Sequence, residues 1–140
     1  MRKSNEDIQH AVLVIDDSAS TRGLVKSSLE SAGFEVFEAC TGFQAIKELQ
    51  VRSYSLIITD INMPDLTGLE IIKFARSSPA HKQTPLLVIS TDEKNRDKNR
   101  ALALGADRYM VKPFDLKDLV QISQCLVNQE QTSPPVPRNK

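Results

Sequence analysis

Three carboxylates, two hydroxyls and an ammonium are spread along the chain, each just after a short apolar run. Asp16 and Asp17 follow Ala11–Ile15, Asp60 follows Leu56–Thr59, Ser90 and Thr91 follow Leu86–Ile89, and Lys112 follows Arg108–Val111. Taken singly, each is ordinary. The first pair could be a helix cap, Asp60 could cap the loop after it, Lys112 could be a solvated surface lysine, and Ser90 an unremarkable strand end. One cap needs only one carboxylate, however, and two adjacent ones repel unless a cation offsets their charge. Three carboxylates in one crevice would make a hard-oxygen site of the kind Mg²⁺ takes, with waters and phosphate oxygens completing its shell. A carboxylate can also act as a nucleophile and form an aspartyl phosphate. Phosphoryl transfer then needs positioning and charge neutralisation, which a metal, an ammonium and a hydroxyl supply.

These residues become neighbours only if the strands lie side by side. The apolar runs at Ala11–Ile15, Leu56–Thr59, Leu86–Ile89 and Arg108–Val111, with the weaker alternation of Phe34–Ala39, predict five strands. Near-continuous apolar runs suit strands covered on both faces, as in parallel sheets. Helical stripes lie between them. Thr21, Leu24, Val25, Ser28, Leu29 and Ala32 predict a first helix, stopped by Gly33. Ala45, Ile46 and Leu49 follow Thr41; Leu69, Ile72 and Ala75, with Ile71 and Phe74, make a third; Ala101 and Leu104 end a fourth before Gly105. Leu116, Leu119, Val120, Ser123, Leu126 and Val127 form a fifth behind Asp115 as N-cap. Five β-α units predict an α/β fold, a parallel sheet with helices on both faces. In such sheets ligands sit beyond the carboxyl ends of the strands, where the polar residues above fall.

A length of 140 residues suits one domain, and 40% hydrophobic with 26% charged residues reads as an ordinary globular chain. The formal net charge of zero gives no reason to expect direct nucleic-acid or membrane binding. No apolar run approaches bilayer length, and the polar start has no signal-peptide core. Cys40 and Cys125 read as small, semi-buried thiols of a reducing, cytoplasmic setting. The domain is expected at 10–128. Residues 1–9 and 129–140 are expected to be flexible tails, the latter with three prolines and no periodicity.

In combination, "VLVIDDS", "LIITDINMPDLTGLEII", "PLLVIST" and "ALGADRYMVKPF" resemble the receiver domain of two-component response regulators, in particular the single-domain chemotaxis type. The resemblance covers residues 10–128. It implies a doubly wound, five-stranded, flavodoxin-like (βα)5 fold with strand order 2-1-3-4-5. It implies that Asp60 is the phosphoacceptor, that Asp17, Asp60 and the backbone carbonyl of Asn62 bind Mg²⁺, and that Asp16 acts through a metal-bound water. Lys112 would contact the phosphoryl group, with a cis bond to Pro113. Ser90 would be the switch hydroxyl and Tyr109 the switch aromatic, coupling the site to the face of the fourth helix, fifth strand and fifth helix. Asn62, Thr91 and Asp92 occupy positions that tune rates. Thr91 departs from the small residue usual there and is expected to narrow access. The implied phosphodonor is a histidine kinase or histidine phosphotransfer protein, and the implied output is an unidentified protein docking on that face. The chain would be a monomer or a phosphorylation-dependent dimer.

Other readings compete. The chain could be a stand-alone regulator, favoured here by its start and its tail, or a receiver cut from a longer regulator with an output domain. A flavodoxin-like flavin carrier could hold phosphate on "SASTRG", but two aspartates beside that loop would repel it and no tryptophan is present. A Mg²⁺-dependent phosphatase with an aspartyl nucleophile would carry Asp-x-Asp after the first strand, where this chain has Asp-Asp. The charged run Asp92–Arg100 is either a solvated helix face or an electrostatic docking surface.

Overall fold

The computed structural model describes residues 9–91 and 96–128. Strands and helices alternate as β1 (Ala11–Ile15), α1 (Ala19–Ser31), β2 (Glu35–Ala39), α2 (Gly42–Val51), β3 (Leu56–Asp60), α3 (Gly68–Ser77), β4 (Leu86–Ser90), α4 (Arg96–Leu104), β5 (Arg108–Val111) and α5 (Leu116–Asn128). The five strands form one parallel sheet in the order β2-β1-β3-β4-β5. This is the expected doubly wound arrangement. After β2 the chain returns past β1 to build the other half, so the order reverses between β1 and β3, and a crevice opens at their carboxyl ends.

Alternation along the strands divides the core. Leu13, Ile15, Ile57, Leu86 and Val88 pack with Leu49, Ile72 and Ala101 of α2, α3 and α4. Val12, Val14, Ile58, Leu87 and Ile89 pack with Leu29 and Leu119 of α1 and α5. β3 and β4 are buried at every position, as their apolar runs require, and their polar final residues, Asp60 and Ser90, are buried with them.

Two expected helix ends take one shape. The Phe34 amide donates to Leu29 O and the Gly33 amide to Glu30 O; the Ala106 amide donates to Ala101 O and the Gly105 amide to Leu102 O. These are Schellman closures, with Gly33 (φ 98°) and Gly105 (φ 120°) in the left-handed region. They correct the start of β2. Phe34, expected in the strand, is held back as the apolar residue of this closure.

Two further expectations change. Leu24 belongs to the α1 stripe by spacing, yet it is 58% exposed while Val25 and Leu29 carry the buried face. Its place on the helix turns it toward an open groove rather than the sheet. Cys40 and Cys125, expected to be semi-buried, are both exposed free thiols, one just past β2 and one on the outer side of α5. Apart from Gln9, the expected tails lie outside the described residues. Among the described residues no helix is long and apolar enough to cross a membrane.

Candidate functional site

Asp16 immediately follows β1, and its position is set by backbone contacts. Its amide donates to Ala39 O at 3.1 Å, and its carbonyl accepts from Arg22 Nη1 at 2.7 Å. Arg22 is tied in turn to Glu38 at 3.0 Å. The Asp16 side chain is buried, with Oδ1 accepting the Ser18 amide at 2.9 Å and Oδ2 accepting from Lys112 Nζ at 3.2 Å. Asp17 reaches the same crevice but is exposed, so the adjacent pair comprises one buried and one solvent-exposed carboxylate. Ser18 then caps α1 through the Thr21 amide.

Asp60, the last residue of β3, lies across the crevice. Oδ1 accepts the Asn62 amide at 3.2 Å, and Oδ2 accepts from Lys112 Nζ at 3.0 Å. Oxygens of Asp16, Asp17 and Asp60 all lie within 4.8 Å of one another. Lys112 follows β5 directly. Its amide donates to Ser90 O at 2.8 Å, and its bond to Pro113 is cis. Asp16, Asp17, Asp60 and Lys112, from three well-separated parts of the chain, are therefore one cluster.

Burial pushes the Asp60 carboxyl above its usual range, more than the Lys112 bond and the Asn62 amide pull it down, and the Asp16 charge adds to the rise. For Lys112 burial works to lower the ammonium, yet Asp60 and then Asp16 hold it above its ordinary value. One ammonium thus bonds two of three clustered carboxylates, and negative charge remains uncompensated. All the side-chain donors are hard oxygens and Asp17 keeps one flank open to solvent, which fits a Mg²⁺ ion with its waters. Asp16, Asp17 and Asp60 are the side chains able to hold it.

The β3–α3 loop comes as close to Asp60 as atoms allow. A Cβ on Gly68 would stand 2.6 Å from Asp60 O and 2.8 Å from Ile61 Cα, so only glycine fits there. The Gly68 amide donates to Ile61 O at 2.8 Å, and Thr67 with Glu70 closes a capping box on α3. Met63 is buried in the core below, and Asn62 is exposed.

Ser90 is fully buried and one residue beyond Ile89, the register partner of Asp60. Its hydroxyl donates to Asp97 Oδ2 of α4 at 3.4 Å. Tyr109 is half-buried, three residues before Lys112, and packs on the α2–α4 side of the sheet. Thr91 is exposed and shares a groove with Leu24, Lys112, Pro113, Phe114 and Leu116. Asp92 lies outside the described residues.

Sequence reasoning missed Arg22, Asp65 and Asp97. Arg22 and Asp97 sit in the first turns of helices beside strand ends, a position that offered a weak clue. Asp65 offered none, because its partners are 22 and 23 residues away in α2.

Residues 12–124 match the model of the response regulator receiver domain. The chemotaxis protein CheY1 of Helicobacter pylori is 37% identical over 105 residues, covering 74% of this chain and 85% of that protein. A probable transcriptional regulatory protein of Picosynechococcus is 33% identical over 135 residues, covering 91% of this chain but 53% of that protein. The chain thus spans about half the length of the transcriptional regulators it matches. Among solved structures, the chemotaxis response regulator CheY4 of Vibrio cholerae superposes with a TM-score of 0.81 at 36% identity, covering 85% of this chain and 99% of that one.

Proposed function

Because the chain belongs to the response regulator receiver family of two-component signalling, we propose that it is a switch operated by phosphorylation of Asp60. Receiver domains as a class are signalling switches that bind Mg²⁺ in an acidic pocket and work with histidine kinases and output partners. What carries the reading for this chain is the Asp60 carboxylate, buried at the end of β3 with Lys112 Nζ at 3.0 Å and Asp16 and Asp17 alongside.

In this reading a receiver spanning residues 10–128 takes its phosphoryl group from a histidine kinase or histidine phosphotransfer protein. A carboxylate oxygen of Asp60 attacks phosphorus, an O–P bond forms, and the P–N bond to the donor imidazole breaks. Asp17, Asp60 and the Asn62 carbonyl would hold Mg²⁺, with Asp16 acting on it through a water. When bound, Mg²⁺ would supply positive charge opposite the phosphoryl oxygens. Lys112 moves its ammonium from the free carboxylate to a phosphoryl oxygen. Ser90 turns its hydroxyl from Asp97 to another, which releases a contact with α4, and Tyr109 follows into the vacated space. Output then comes from the α4-β5-α5 face, read by a protein partner with no direct nucleic-acid contact. The chain is a monomer or pairs on phosphorylation. Asn62, Thr91 and Asp92 set the lifetime of the acyl phosphate, which water attack returns to Asp60 and phosphate.

The test is incubation with Mg²⁺ and acetyl phosphate, read by intact mass. We expect a gain of one phosphoryl group, absent in Asp60→Asn and absent without the metal. A protein that takes no phosphoryl group from acetyl phosphate or a phosphohistidine donor would overturn the reading.

A further inference from the structure

Asp65 lies midway along the loop that carries Asn62, and it grips a different element. Its Oδ1 accepts the Gly42 amide and its Oδ2 the Phe43 amide, each at 2.9 Å. These are first-turn amides of α2, which the helix itself cannot satisfy. The two bonds, Phe43 first and Gly42 next, hold the Asp65 carboxyl below its usual range. The approach is close: a Cβ on Gly42 would stand 2.5 Å from Leu66 Cβ, so the start of α2 and the loop touch through a glycine.

Asp65 is the N-cap residue of neither neighbouring helix. Thr41 already caps α2, accepting the Gln44 amide at 3.0 Å, and α3 has its capping box at Thr67 and Glu70. The Asp65 contact therefore ties the loop down. The loop is held at three points: by the Asn62 amide on Asp60 Oδ1, by Asp65 on α2, and by Gly68 against Ile61. Asn62 is exposed, and its carbonyl directly follows the first of these points.

We propose that Asp65 is a positioning residue for the site. It anchors the β3–α3 loop on α2 and so presets the Asn62 carbonyl for a cation shared with Asp16, Asp17 and Asp60. The proposal rests on the Mg²⁺-dependent reading of Asp60 given above. It makes α2, which contributes no carboxylate to the cluster, part of the support of the site.

The experiment compares the full chain with Asp65→Ala, Asp65→Asn and Thr41→Ala. Mg²⁺ affinity is measured by calorimetry, and loop mobility by amide hydrogen exchange without metal. Asp65→Ala should weaken Mg²⁺ by about tenfold, as losing an outer support of a metal ligand does. It should also speed exchange at Gly42, Phe43 and Asn62. In acetyl phosphate assays its rate at saturating Mg²⁺ should return close to that of the parent. Asp65→Asn keeps one acceptor oxygen and should fall between. Thr41→Ala removes the cap of α2 itself and should lower the melting temperature with Mg²⁺ affinity unchanged. Equal weakening of Mg²⁺ by Thr41→Ala and Asp65→Ala, or unchanged affinity in Asp65→Ala, would overturn the proposal. If the parent itself binds no Mg²⁺, the reading of the site fails. Unchanged loop exchange in Asp65→Ala would then refute the anchoring separately.

Discussion

Two half-buried cations stand at opposite ends of the sheet's strands and face different neighbours. At the N-terminal end, Arg76 of α3 donates through Nε and Nη2 to Gly105 O, and through Nη1 to the carbonyls of His81, Lys82 and Thr84. Nη2 also pairs with Asp107 Oδ2 at 3.1 Å, which in turn accepts the Leu86 amide. At the C-terminal end, Lys112 faces two buried carboxylates with a third nearby. Carbonyl dipoles and one carboxylate match a guanidinium without leaving a surplus, whereas three carboxylates exceed one ammonium. The first end closes loops, and the second holds unbalanced charge. The same contrast extends to titrating groups. His81 is fully buried near Arg76 and stacks on Tyr54 at 6.1 Å between ring centroids. Burial holds it below its usual range, with the Arg52 backbone offsetting this only in part, so this end keeps its histidine neutral while the other keeps its acids crowded.

The contrast breaks first at Arg76. Arg76→Leu should strip several buried carbonyls of their donor and cost about 3 kcal/mol in urea unfolding. Mg²⁺ affinity of the folded fraction should not change; a loss of affinity would mean the two ends are coupled. Asp60→Asn should act in the opposite direction. A raised carboxyl means the ionised form is disfavoured in the fold, so stability falls as pH rises through its titration. Removing the charge should stabilise the protein at neutral pH by about 1 kcal/mol, the usual trade between site and stability, or about 3 °C in melting temperature. A lowered melting temperature would show that the Lys112 pair outweighs burial. The smallest effect concerns His81. Its depressed titration means the unfolded chain binds more protons below about pH 6.5, so stability should fall as pH drops through that range. His81→Gln should flatten that slope by a fraction of one proton. An unchanged slope would assign it to carboxylates elsewhere.

Much of the fold was legible because its signals are local. β3 and β4 show themselves as unbroken apolar runs since both faces are covered. Gly33 and Gly105 mark helix ends since few other residues adopt their φ. Phe34 was misread because an apolar residue after a glycine suits a strand start and a Schellman closure equally well. Leu24 was misread because spacing places a residue on a helix but not at the edge of what covers it. Asp16, Asp17, Asp60, Ser90 and Lys112 stand out in the sequence, because polar residues that end apolar strands contrast with their surroundings.

The sequence by itself determined which groups are available: the strand-end acids, the ammonium, the hydroxyl, and the glycines at Gly42 and Gly68 that permit close approach. Only the tertiary structure decided how they are shared. It buried Asp16 and left Asp17 exposed at the rim of the same cluster. It set Lys112 between two carboxylates, turned Ser90 to Asp97, and sent Asp65 to α2. Each of these partners is chosen by how helices and strands pack across long stretches of chain, and local residue pattern carries no record of that packing.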